Sequence, residues 1–257
     1  RNVVEVEGSK MYVNTRKLPA GYKRAVREYI IFHDWEETTT ELFKDVIKEG
    51  DIVLDCGGNM GYFTLLAARL VGEKGRVYTF EPAPMNYSLV VKNIELNGYK
   101  NVIPQQKAVS NTTGTVKLFI CDDDIGNNTI YQYGEDRAIV EVEAVALDEF
   151  FDGKEQRIDV IKMDIEGAEM AALLGMDRII RENPNLKIFA EFFPSLMKAM
   201  GYSPDSFIRR LINDYHFSIY PLDLPGRSIS QPGINSAEEF MELSKKREVV
   251  NLFLERS

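Results

Sequence analysis

The stretch Ile52-Val53-Leu54-Asp55-Cys56-Gly57-Gly58-Asn59-Met60-Gly61 decides the fold. Ile52, Val53 and Leu54 form the short apolar run of a strand buried on both faces. Gly57, Gly58 and Gly61 then let the backbone turn sharply and lie close to a ligand. Beyond them, Phe63, Leu66, Ala67 and Leu70 recur with the period of a helix. Strand, glycine loop and helix in that order is how open α/β folds approach a cofactor. A dinucleotide fingerprint wants glycine at the first, third and sixth loop positions. Asn59 holds the third here and Tyr62 the sixth, which disfavours a nicotinamide dehydrogenase.

Outward from this stretch, short apolar strands alternate with helix-length amphipathic segments, the pattern of a parallel sheet covered by helices on both faces. Strands are expected at 51–55, 76–81, 101–109, 159–164 and 186–192, and helices at 61–71, 84–97, 168–181 and 204–214. Two closing strands are expected at Phe217 to Tyr220 and Val249 to Leu254. They are joined by the loop Pro225 to Pro232 and a short helix near Ala237 to Lys245. Thr115–Cys121 and Ile139–Val145 read as an added hairpin or an edge extension. Residues 1–50 open strand-like and end in a helical run reaching Thr40–Lys48. They are expected to form an N-terminal extension covering the cofactor site of a domain spanning 51–257.

The 257 residues are 44% hydrophobic, enough for one large α/β domain or two small ones, which excludes a disordered chain. Asp plus Glu number 40 against 31 Lys plus Arg, and the net charge of −9 argues against a nucleic-acid partner. No apolar run approaches the roughly 20 residues of a membrane span, so a soluble chain is expected. Cys56 and Cys121, too few for a disulfide framework, fit a reducing compartment and give a cytoplasmic expectation. Cys56 reads as a small buried hydrophobe.

Two acidic features accompany the loop. Glu81 closes the second strand, Val77-Tyr78-Thr79-Phe80-Glu81, where a carboxylate can accept hydrogen bonds from both hydroxyls of a ribose. In Asp159-Val160-Ile161-Lys162-Met163-Asp164-Ile165-Glu166-Gly167-Ala168-Glu169, a period of two puts Lys162, Asp164 and Glu166 on one face at the end of a central strand. Three charges there are expensive unless used.

The spacing Asp55-x-Gly57-x-Asn59-x-Gly61 resembles the first motif of class I S-adenosylmethionine (SAM) methyltransferases. Together with Trp35-Glu36-Glu37-Thr38-Thr39, Glu81-Pro82-Ala83-Pro84, Ile94-Glu95-Leu96-Asn97-Gly98, Lys162–Glu169 and Ala190-Glu191, the chain resembles the FkbM family of methyltransferases. That resemblance implies an α/β class I methyltransferase Rossmann-like fold, with a seven-stranded, mostly parallel sheet whose last strand is antiparallel. It implies a SAM cofactor and O-methylation of a hydroxyl on a sugar or glycan, or on a polyketide-type or other small molecule. The cofactor-binding set carried over is Asp55, Gly57, Asn59, Gly61, Glu81, Asp164, Glu37 and Thr38. A glycan acceptor would suit one domain of a larger glycan-modifying protein. The chain opening on Arg1 leaves a trimmed leader equally open. A non-catalytic SAM-binding domain and a nucleic acid or protein methyltransferase are the rival readings. The intact charges favour an enzyme, and the acidic balance disfavours an RNA substrate.

Methyl transfer needs the acceptor oxygen held behind the methyl and its proton taken. Candidate bases are Asp164, Glu191 and His33. Asp164 and Glu191 end neighbouring strands at the carboxyl edge of the sheet, where such folds bind ligands. Either one carboxylate takes the proton directly, or both hold a Mg²⁺ that lowers the pKa of the acceptor hydroxyl. His33, in Phe32-His33-Asp34-Trp35, is one of two histidines, the residue type whose unperturbed pKa of about 6.5 suits a base. His216 opens a strand and reads as structural. Asn127-Asn128-Thr129 reads as a solvated turn, and Phe192-Phe193-Pro194 and Tyr131-x-Tyr133 read as packing aromatics.

Overall fold

The computed structural model describes residues 3–12, 36–121, 128–131, 137–155 and 157–256. The chain folds as two compact units, Arg1–Ala108 with Gly114–Ala144, and Val109–Thr113 with Val145–Ser257.

The first unit opens with a hairpin, β1 (Val3–Val6) and β2 (Ser9–Tyr12), paired antiparallel. Its turn, Glu7-Gly8, has positive φ at both residues, the geometry that matches strand twist in two-residue hairpins. Helix α1 (Glu37–Val46) follows. Then come β3 (Ile52–Cys56), α2 (Tyr62–Val71), β4 (Arg76–Phe80), α3 (Pro84–Asn97) and β5 (Val102–Gln105). Strands β3, β4 and β5 lie side by side in that order, all parallel. Every residue of β3 is buried, and Val53 and Leu54 are fully so, worth about 1.5–3 kcal/mol each.

The hairpin is fastened to α3 by asparagines one turn apart. Asn93 accepts from the Tyr12 N–H, while Asn97 both accepts from the Lys10 N–H and donates to its carbonyl. The chain leaves β5 through the short strand β6 (Ala108–Val109), then forms β7 (Gly114–Ile120) and β8 (Ala138–Val145). β7 and β8 pair antiparallel, so the added hairpin read from the sequence is present. Leu118, Val142 and Ala144 pack it onto Ala83 and Ala108.

The second unit contains α4 (Leu147–Phe150), β9 (Val160–Met163), α5 (Glu169–Leu174), α6 (Asp177–Glu182), β10 (Lys187–Phe192) and α7 (Pro194–Ala199). After these come α8 (Pro204–Arg209), continued by a π-helical turn over Arg210–Asp214, then β11 (Ser218–Pro221), α9 (Ala237–Ser244) and β12 (Val250–Glu255). β9 and β10 are parallel, and β12 runs antiparallel to both β10 and β11. Counted over both units, these are the seven strands expected, mostly parallel with the last one antiparallel.

Three elements differ from the sequence reading. The strand expected over 101–109 is two strands, β5 and β6. The helix expected over 168–181 breaks at Gly175. A Cβ there would lie 2.1 Å from the Ser110 carbonyl oxygen, so the break marks a close backbone approach. The helix expected over 204–214 is α-helical only to Arg209, and the Tyr215 N–H bonds the Arg210 carbonyl.

Candidate functional site

In the first unit, the glycine loop is built by backbone geometry that few side chains permit. Gly57 and Gly61 have φ of 90° and 97°, and Asn59 has φ of 48°. Asparagine is one of the few non-glycine residues that visit this region readily. Both the Gly57 and Gly58 N–H donate to the Phe80 carbonyl, pulling the loop onto the end of β4. A Cβ on Gly58 would stand 2.3 Å from Thr79 Oγ1, so only glycine fits there without a shift.

Beneath the loop lies a buried polar group. The Thr64 hydroxyl donates to Asp55 Oδ2 at 2.5 Å and is hydrogen-bonded to the Thr79 hydroxyl at 3.0 Å. Asp55, Thr64 and Thr79 are all nearly inaccessible to solvent. Asp55 therefore acts on the loop from below, tying its first strand to the first turn of α2. Glu81 acts from the side. Its two carboxylate oxygens accept from the Asn59 N–H at 2.7 Å and the Ala83 N–H at 2.8 Å. A carboxylate oxygen can accept more than one hydrogen bond, so a ligand hydroxyl is a chemically suitable donor to such a group. Asn93 donates to the Met60 carbonyl and Asn86 lies 3.4 Å from Asn59, so α3 supports the loop as well.

The structure thus brings Asp55, Gly57, Asn59, Gly61 and Glu81 together. Glu37 and Thr38 lie exposed on the first turn of α1. Their neighbours Thr39 and Thr40 are buried, and Thr40 Oγ1 is 3.2 Å from the hydroxyl of Tyr62, which follows the loop. Burial raises the pKa of that phenol. His33 and Asn127 lie outside the described residues.

In the second unit, β9 ends at Met163 and the chain turns before α5 begins at Glu169. Glu166 and Gly167 take φ of 53° and 91°, so Glu166 sits in a turn and not on the strand face that its spacing suggested. The turn and the end of β10 gather three carboxylates. Asp164, Glu166 and Glu191 each have an oxygen within 4.8 Å of the others. The buried Lys162 ammonium meets Asp164 Oδ2 at 3.0 Å and offsets part of this charge. Three oxygen donors suit a hard divalent cation, with Lys162 sharing one of them.

Next to them, Glu169 is fully buried. Its Oε1 accepts from the Ile165 and Gly167 N–H groups. Burial pushes its carboxyl up to about 7, with the charge of Asp164 adding to the rise.

Sequence reasoning missed Thr64, Thr79 and Glu169 as site residues. No local signal marks them: Thr64 and Thr79 lie in elements that look ordinary one at a time, and Glu169 reads as an acidic residue in a first helical turn.

A strand, glycine loop and helix ending on an acid-tipped second strand, with the strand set above, define the class I SAM methyltransferase fold. Solved structures of that class agree. A Clostridium thermocellum protein proposed to be an rRNA methylase matches with a TM-score of 0.51 at 14% identity, covering 86% of this chain and 95% of that one. A Streptococcus mutans protein proposed to be a methyltransferase, solved with S-adenosylhomocysteine (SAH), matches with a TM-score of 0.50 at 12% identity, covering 86% and 97%.

The chain belongs to the FkbM methyltransferase family, whose domain model matches residues 55–219. Among its relatives are Methyltransferase 1 of Beauveria bassiana, 27% identical over 50% of this chain and 59% of that one, and methyltransferase sdnD of Sordaria araneosa, 28% identical over 56% and 68%. Hexuronic acid methyltransferase AglP of Haloferax volcanii is 23% identical over 57% of this chain and 58% of that one. The chain therefore spans between 58% and 68% of the length of these relatives. Among the described residues no helix is long and apolar enough to cross a membrane.

Proposed function

We propose that this chain is a SAM-dependent O-methyltransferase whose acceptor is a hydroxyl of a sugar or glycan. The observation that carries the reading is the glycine loop braced by Glu81 in a chain of this family, and the carboxylates Asp164, Glu166 and Glu191 of the second unit are the candidate groups for the acceptor proton. Likeness to a hexuronic acid methyltransferase supports a carbohydrate acceptor.

When bound, SAM would supply a sulfonium methyl carbon open to in-line attack by an acceptor oxygen, the C–S electron pair leaving with the sulfur of SAH. Glu81 would accept from the ribose hydroxyls, and the loop backbone over 57–61 would hold the amino-acid end. Asp164 or Glu191 takes the acceptor proton as the C–O bond forms, which is worth typically 10²–10⁴-fold in rate. The conformation of the 164–167 turn keeps these groups in place before the acceptor arrives, so less ordering is left for the reaction. His33 is the remaining candidate base.

The 4.8 Å carboxylate group also favours a second reading, in which Asp164, Glu166 and Glu191 hold Mg²⁺. Such an ion would polarise the acceptor hydroxyl.

The test is transfer of labelled methyl from SAM into a lysate of the source organism, fractionated into carbohydrate, small-molecule, protein and nucleic acid pools, with and without EDTA. Alkali-stable label in carbohydrate is expected. Its loss with EDTA would select the metal reading, and label confined to protein or nucleic acid would overturn the acceptor class.

A further inference from the structure

The Glu169 carboxyl is expensive where it stands. Its side chain is sealed from solvent, and Oε2 has no hydrogen-bond partner among the described residues. Burying a polar group in this way costs stability unless something is gained elsewhere. Its partners lie in the five residues between β9 and α5.

That turn has a conformation the chain does not hold cheaply. Glu166, a non-glycine residue, is left-handed at φ 53°, a strain that persists only when its surroundings fix it. Gly167, also left-handed, is pressed so closely on α7 that a Cβ would sit 2.5 Å from that of Leu196. The two amides flanking Glu166, those of Ile165 and Gly167, both donate to Glu169 Oε1, at 3.2 and 3.3 Å. A first-turn carboxyl reaching back to N–H groups ahead of its own helix is the logic of a capping box, here applied to a turn that carries acidic side chains.

We infer that Glu169 is a positioning residue, which holds the 164–167 turn so that the Asp164 and Glu166 carboxylates stand with Glu191. The inference rests on the reading above that this turn serves the acceptor. A carboxyl held up to about 7 also spares the group a full fourth negative charge near neutral pH, while Oε1 accepts in either protonation state. The chemistry calls for an acceptor at Oε1, not for a charge. Glutamine supplies that acceptor, alanine and methionine do not.

The experiment compares Glu169→Gln, Glu169→Ala and Glu169→Met in the whole protein with SAH present. Methionine fills the volume, so it carries the test if the alanine variant does not fold. The first readout is hydrogen exchange of the Ile165 and Gly167 amides, and the second is the rate of labelled methyl transfer into the lysate carbohydrate fraction at saturating SAM.

The acceptor-less variants are expected to speed exchange at those two amides by about tenfold or more. They should also lower the saturated rate by roughly 10- to 100-fold with SAH affinity unchanged. Glu169→Gln should restore both. A merely structural role would lower the melting temperature and leave the saturated rate of folded protein unmoved, which would overturn the inference, as would unchanged exchange at Ile165 and Gly167. Asp164→Ala separates the two levels. If it transfers methyl at the wild-type rate, the acceptor reading of the turn fails, while the exchange data still decide whether Glu169 holds it.

Discussion

Replacing Gly58 by alanine puts a methyl group 2.3 Å from Thr79 Oγ1, about 1 Å inside ordinary C···O contact. The Thr79 hydroxyl has little room to retreat, because the residue is 1% exposed and bonded to Thr64 at 3.0 Å. Rotating it away would lose that bond, about 1 kcal/mol, and overpacking a tight interior costs about 1–3 kcal/mol. Gly58→Ala should therefore destabilise the protein by about 2–4 kcal/mol. Thr79→Ala alone removes the hydroxyl and a methyl, for about 1–3 kcal/mol. In the double variant the new methyl enters the space the threonine vacated, so the two costs should fall short of their sum by about 2 kcal/mol. Urea unfolding of the four proteins without ligand gives this coupling directly, and SAH titration shows whether the relieved loop regains affinity. Costs that add to within about 0.5 kcal/mol would refute the claim that Gly58 is required by contact with Thr79.

Three further outcomes are expected. Glu81→Ala leaves the half-buried Asn59 N–H and the buried Ala83 N–H without their acceptor, the latter a penalty of about 1–3 kcal/mol, and should weaken SAH at least about tenfold by calorimetry; unchanged affinity would remove Glu81 from the cofactor site. Glu169 is raised from 4.5 to about 7 in the fold, so it ionises less readily there than in the unfolded chain. Its stabilising contribution is present below the unfolded value and is lost as pH rises toward the folded one, by roughly 3 kcal/mol in all. Urea unfolding across that window should find Glu169→Gln gaining on the wild type as pH rises, and a pH-independent difference would contradict the raised value. Asp164→Ala should remain folded by circular dichroism and lose methyl transfer by about 100-fold or more, whereas full activity would exclude it as base or ligand.

The glycine loop was legible because its chemistry is local: three glycines after an apolar strand and before a helical period permit few other structures. The acidic group was legible in part, since charges at a strand end stand out against a buried sheet. Its third carboxylate, Glu166, arrives through a left-handed turn and not through the strand's period of two. The break at Gly175 was hidden, because what forces it is the Ser110 carbonyl, 65 residues away in sequence. Thr64 and Thr79 belong to an α-helix and a strand that look ordinary one at a time, and only the pairing of β3 with β4 brings their hydroxyls beside Asp55. Glu169 reads from sequence as an acidic residue in a first helical turn, a common surface feature, and its burial is a property of the packed turn.

The central claim is that the loop braced by Glu81 is a SAM site. Isothermal titration of SAH and, separately, of NAD⁺ into the protein tests it most directly. The account predicts single-site binding of SAH, weakened in Glu81→Ala, and no heat from NAD⁺. Binding of NAD⁺ with none of SAH would contradict it.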